Sequence, residues 1–182
     1  MNIPFEQARR YAGMLKARWE HRKSRDSVVA FNAALSSAHS ALLIMPLRRR
    51  EFLPTVTVIE LLKRRFQEEN ITIISDDHGR EVVRILPRSH FMHIIDAEIT
   101  PLFLPTPALV RRIRERHYDV AIDLNLDFEL PSAYICKASN ARIRIGFKRD
   151  RSDLFYNFQI HPDLKKERKH LYDRVAAFLE KF

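Results

Sequence analysis

Cysteine, glycine and long apolar runs are scarce in this chain of 182 residues. A single cysteine, Cys136, excludes an internal disulfide and fits a reducing compartment. Lying in an apolar helical stretch, it reads as a small core side chain rather than a nucleophile. The three glycines, Gly13, Gly79 and Gly146, stand far apart, which excludes a Gly-rich phosphate loop of the dinucleotide or P-loop kind. No apolar run reaches the roughly 18 residues that a membrane-spanning helix needs. The opening Asn2-Ile3-Pro4-Phe5-Glu6 lacks the charged-then-apolar order of a signal peptide. The histidines show no recognised metal spacing: His90 and His93 lie in a predicted strand, on opposite faces. The sequence therefore calls for neither a cofactor nor a metal.

What the chain has in excess is positive charge. Thirty-two Lys and Arg face 23 Asp and Glu, a formal charge of +9, so acidic partners are expected. Nucleic acid is disfavoured among them, because the cations are dispersed over several helices and no helix-turn-helix, zinc-finger or base-stacking motif is present. A hydrophobic fraction of 46% is that of a folded globular chain. A cytoplasmic protein, peripheral to the inner membrane or part of a larger complex, is the simplest reading.

Periodicity divides the chain near residue 40. Residues 1–40 read as a basic helical extension. Phe5, Ala8, Ala12, Leu15 and Trp19 recur at spacings of three and four and share one helical face, with arginines and lysines at its edges. That stripe suits docking on the chain's own domain or a protein partner. Phe5, Leu15 and Trp19 also suit an anionic membrane surface. A second short helix is expected within residues 24–40, with Val28, Val29, Phe31 and Leu35.

Residues 41–182 read as one α/β body. Ala41-Leu42-Leu43-Ile44-Met45 is a continuous apolar run, as in a strand buried on both faces of a parallel sheet. Further strands are expected at 71–74, 91–95, 120–124 and 142–146, with an edge strand at 156–160. Helices are expected between them, including a short one at 81–86, and a last one from about Pro162 through Leu164, Leu171, Val175, Phe178, Leu179 and Phe182. Strands alternating with helices at this spacing give a doubly wound, Rossmann-like α/β domain.

Three segments of that body carry a resemblance. Leu62-Lys63-Arg64-Arg65-Phe66 closes a helix before Ile71-Thr72-Ile73-Ile74; His117-Tyr118-Asp119 leads into Val120-Ala121-Ile122-Asp123-Leu124; and Ala141-Arg142-Ile143-Arg144-Ile145-Gly146-Phe147 ends a strand. In this order they resemble glycosyltransferase family 9, which includes lipopolysaccharide heptosyltransferases. The resemblance implies the N-terminal, acceptor-binding half of a GT-B type transferase. In that family a Gly-Asp pair ends the first loop and its Asp is the proposed general base; here Arg50-Glu51 stands at that place. Glu51 is thus the candidate base, one methylene longer and beside Arg48, Arg49 and Arg50, which favour its ionised and less basic form.

Arg48, Arg49 and Arg50, together with Asp123 and Asp127, lie after predicted strands, at the sheet edge where open α/β folds take ligands. They are the candidates for an acidic acceptor. Asp123, Asp127 and Glu129 equally suit capping the helix that opens at Pro131. The resemblance also implies that the nucleotide sugar is held by a second domain, expected beyond Phe182. Two roles follow: a binding or scaffolding subunit not competent alone, with a protein partner, or the acceptor half of a split glycosyltransferase.

Overall fold

In a computed structural model, residues 3–23, 30–161 and 168–181 are described. Six parallel strands form a single sheet in the order β3-β2-β1-β4-β5-β6. The strands are β1 (Ala41–Ile44), β2 (Ile71–Ser75), β3 (His90–His93), β4 (Val120–Asp123), β5 (Ile143–Phe147) and β6 (Phe158–Ile160). The helices are α1 (Ile3–Glu20), α2 (Phe31–Ser36), α3 (Val56–Arg65), α4 (Pro107–Arg114), α5 (Leu130–Ala138) and α6 (Arg168–Leu179).

The continuous apolar runs explain the layering. In β1, Ala41 and Leu43 enter a core shared with Val58, Ile59 and Leu62 of α3 and Leu171, Tyr172 and Val175 of α6. Leu42 and Ile44 point the other way, into a core shared with Met14 and Ala17 of α1, Ile113 of α4 and Ile135 of α5. Period-two alternation therefore feeds two cores from one strand. Leu42 and Leu43 are fully buried, each contributing roughly 2 kcal/mol by removal from water.

The two central strands are pinned at their N-terminal ends by Asp119. Its Oδ2 accepts hydrogen bonds from His39 N (2.8 Å), Ser40 N (3.0 Å) and Ser40 Oγ (3.0 Å). Burial alone would raise this carboxyl, but these bonds outweigh it and hold the group below its ordinary value. The Tyr118-Asp119 pair thus has a structural explanation: a buried ring and a clasp that sets the β1–β4 register.

Several boundaries differ from the periodicity. Of the segment expected as a helix at 81–86, residues 81–84 belong to a run of 3-10 turns, Asp77–Arg84. A Cβ on Gly79 would lie 1.9 Å from Ser75 Oγ, so the chain there passes close against the end of β2. β3 and β6 are shorter than expected, because they are edge strands with partly exposed residues and weak apolar patterning. α2 begins at Phe31; Val28 and Val29, like Leu164 and Phe182 of the expected last helix, lie outside the described residues.

The largest difference concerns α1. It docks on the body through Gly13, Met14 and Ala17, and leaves the Phe5–Leu15–Trp19 stripe in solvent, with Phe5 and Trp19 each 65% exposed. Docking follows the small residues because they permit close backbone approach: a Cβ on Gly13 would stand 2.0 Å from the Leu102 carbonyl oxygen. Arg9 Nε reinforces the contact by donating to Pro101 O at 2.8 Å. Gly13→Ala is therefore expected to release α1. The gain of about 1 kcal/mol in helix propensity is outweighed by overpacking of roughly 1–3 kcal/mol against a backbone atom that cannot swing aside. Faster tryptic cleavage within α1 under native conditions is the readout; an unchanged digestion pattern would count against it.

Candidate functional site

The strand order reverses direction between β1 and β4, and in open parallel sheets the crevice outside the C-terminal strand ends at such a point receives ligands. Here that crevice is tied shut. Asn125 Oδ1 accepts from Leu47 N at 2.9 Å, and Asn125 Nδ2 donates to Asp123 Oδ1 at 2.8 Å. Arg48 and Asp127 form an ion pair across the two loops.

Asp123 lies beneath this bridge, only 2% exposed. Its Oδ2 accepts the Tyr156 hydroxyl at 2.7 Å and its Oδ1 also accepts Asn125 N at 2.9 Å. Burial pushes its carboxyl up to about 6, against these hydrogen bonds, which favour the ionised form. Tyr156 is buried as well, and its hydroxyl is held well above the ordinary phenol range by burial and by the Asp123 charge. Asp123 is therefore not on a ligand-facing rim as expected; it organises the loop above it.

The three arginines do not converge either. Arg48 is engaged by Asp127, while Arg49 and Arg50 lie exposed on a 3-10 turn, Arg49–Glu51. Glu51, expected as a base, is 1% exposed. The fold encloses its side chain at that turn and does not present it to an incoming hydroxyl.

The open space lies one step along the same sheet edge. A pocket of about 1020 Å³ is bounded by the turn after β5 (Lys148, Arg149, Arg151), by His161 after β6, and by Arg10 and Tyr11 of α1, with Phe128 and Leu130 as an apolar floor. Among the described residues of its lining, Asp150 is the one that carries a carboxylate. Arg10 is held by Glu6 at 3.1 Å and Glu129 at 3.5 Å, and stacks over Phe103. Lys148 pairs with Asp153. Arg149 and Arg151 have no carboxylate partner among the described residues, and the Arg151 guanidinium lies 5.6 Å from the Tyr11 ring centre.

This turn is rigidly placed. Fully buried Ser152 accepts Arg149 N at 3.2 Å and donates to Gln159 at 2.6 Å, while Arg151 takes left-handed backbone (φ 69°). A non-glycine residue held in that conformation stores local strain of the kind found at binding sites. The Lys148-Arg149-Asp150-Arg151 run directly after a predicted strand was the available signal for this pocket. The wall supplied by α1 had none, since only the tertiary fold brings Arg10 and Tyr11 there. Among the described residues no group of three or more His, Cys, Asp or Glu is placed to hold a metal. No described helix is long and apolar enough to cross a membrane.

Buried Cys136 has its thiol pushed well above the ordinary range by burial, which leaves it without a nucleophile's character.

Comparison with known proteins agrees with this fold. The family described as Glycosyltransferase family 9 (heptosyltransferase) matches residues 107–182. A crystal structure of the glycosyl transferase family 9 from Veillonella parvula DSM 2008 is similar, with a TM-score of 0.59 and 15% identity over 78% of this chain. The chain spans 41% of the length of that structure. A search of curated proteins gave no match. Residues 107–182, from the start of α4 onward, are thus similar to glycosyltransferase family 9, within an α/β domain that shares the fold of a family 9 transferase.

Proposed function

We propose that this is the acceptor-binding domain of a family 9-type glycosyl transfer, holding an acidic or phosphorylated glycan in the basic pocket beyond β5 and β6. The nucleotide sugar is presented by a separate domain. The observation that carries this reading is the pocket itself: about 1020 Å³ at the ligand-receiving edge of the sheet, lined by Arg149 and Arg151, which have no carboxylate partner among the described residues. The planar guanidinium groups of Arg149 and Arg151 suit phosphate or carboxylate oxygens. Phe128 and Tyr11 suit the apolar face of a sugar ring.

Mannose 6-phosphate serves as a minimal probe, with neutral mannose as its control. Titration followed by NMR is expected to show the phosphorylated sugar binding and the neutral one not. Arg149→Glu with Arg151→Glu is expected to weaken it at least tenfold, as loss of charge-assisted hydrogen bonds implies. Equal binding of both sugars, or an unaffected double variant, would exclude the pocket as the anion site.

One observation favours a second reading, that of a binding or scaffolding subunit in a larger assembly. Glu51, the counterpart of the family's base, is enclosed at 1% exposure. On this reading Glu51→Gln leaves transfer by any assembly containing the chain unchanged, whereas a split transferase that opens the loop loses it.

A further inference from the structure

We propose that α1 lies flat on an anionic phospholipid surface through the face it turns away from the body. This goes beyond the glycan-binding reading and does not rest on it.

Helical residues advance by about 100° each, so the positions opposite the docked Gly13, Met14 and Ala17 can be named. Leu15, Ala8, Trp19, Ala12 and Phe5 follow one another as a contiguous stripe there. Of the seven exposed large hydrophobic side chains among the described residues, four are on this helix: Phe5 (65%), Tyr11 (52%), Leu15 (47%) and Trp19 (65%). Tyr11 walls the basic pocket, but leaving Phe5, Leu15 and Trp19 in water serves no packing purpose in the domain.

The charges are sorted in the same sense. Arg18 flanks the stripe on one side and Arg9 and Lys16 on the other, and Arg22 and Lys23 follow in the turn after the helix. Both acids of the helix lie towards the body and are engaged. Glu6 pairs with Arg10 at 3.1 Å; Glu20 accepts the Tyr134 hydroxyl at 2.7 Å and lies 3.8 Å from Lys16. The outer half of α1 therefore carries cations and apolar groups without an acid.

Ring and cation are also paired locally: Arg22 sits 4.2 Å from the Trp19 ring centre and Arg9 5.4 Å from that of Phe5. That arrangement suits the bilayer interface, where rings settle at the level of the glycerol groups and guanidinium groups meet phosphates. A protein interface is less well matched, since its buried centre is depleted of charge and this stripe is one helix wide with cations along both margins. Arg10 and Tyr11 of the same helix wall the basic pocket, so the pocket would open beside the head groups.

Trp19 is the chain's only tryptophan and reports on the contact directly. The whole chain is mixed with vesicles of phosphatidylcholine, with or without phosphatidylglycerol. The expected result is a shift of Trp19 emission to shorter wavelength and co-sedimentation with the anionic vesicles only, both reduced by salt. Arg18→Glu with Arg22→Glu is expected to weaken sedimentation by roughly 25-fold or more, at about fivefold per lost cation. Leu15→Asp, at an exposed position, is expected to weaken it without lowering the melting temperature.

Unchanged emission with the chain left in the supernatant would overturn the proposal. So would full binding by Leu15→Asp, which would assign the contact to another surface. An emission shift that follows protein concentration without vesicles, with doubled mass in sedimentation, would make a second copy the occupant and equally overturn it.

Discussion

Gly146→Ala is expected to lower the melting temperature by roughly 10 °C, corresponding to about 3 kcal/mol for a chain of this size. A Cβ there would stand 2.6–2.7 Å from three atoms of the Tyr156 ring, well inside van der Waals contact. The ring cannot retreat, because its hydroxyl is tied to Asp123 at 2.7 Å and the residue is buried. Gly146 has an ordinary negative φ, so the requirement is for space and not for unusual backbone. Thermal unfolding of the purified variant measures the effect, and a loss under about 1 kcal/mol would mean that the core yields there more readily than close packing allows. Gly146→Ala and Tyr156→Phe are further expected to be non-additive, since both act through one ring.

The second large effect concerns pH. The ordinary Asp pKa is 3.8, and in the fold Asp123 is raised to about 6, chiefly by burial. Between those values the native state keeps a proton that the unfolded chain has released. Stability due to this group is therefore highest below about pH 4, falls as pH rises to about 6, and stays low above it. About two pH units correspond to roughly 3 kcal/mol.

Asp123→Asn keeps the shape and can still accept from Asn125, while its amide donates to the Tyr156 oxygen. The variant is expected to melt higher than the parent at pH 8, by roughly 5–10 °C, and equally at pH 4. Asp119, held below its ordinary value, changes stability in the opposite sense, but it is common to both proteins and cancels in the difference. Parallel pH profiles for the two proteins would refute the assignment. A carboxylate kept at such a cost, under the loop that closes the crevice, is what a trade of stability for site geometry produces.

How far these features were legible in the residues varies with the physics behind them. β1, β2 and β4 were visible because strands buried on both faces must be continuously apolar. The edge strands β3 and β6 carry a weaker pattern, and their ends shifted accordingly. The periodicity of α1 identified a helix and its apolar stripe, but of the surfaces that stripe suited, the chain's own body is not one it meets. Close contact there is made by Gly13 and Ala17, whose contribution is absence of bulk, and an apolar stripe does not register absence. Asp123 was correctly placed at a strand end, yet its burial depends on Tyr156, 33 residues later. Glu51 illustrates the same limit. A resemblance can align a residue with a base, but only packing decides whether solvent and substrate reach it.

The all-parallel order has a consequence during synthesis. Ser40 and its clasp Asp119 are 79 residues apart, so the inner edge of β1 waits for β4 while the ribosome makes the chain between them. At about 5–20 residues per second that interval is roughly 4–16 s. Throughout it, the Ala41-Leu42-Leu43-Ile44 edge offers unpaired backbone groups on a wholly apolar segment, a template for joining another nascent chain. Soluble yield in a host is therefore governed by holdase capacity and translation rate during those seconds, in addition to the stability of the finished domain.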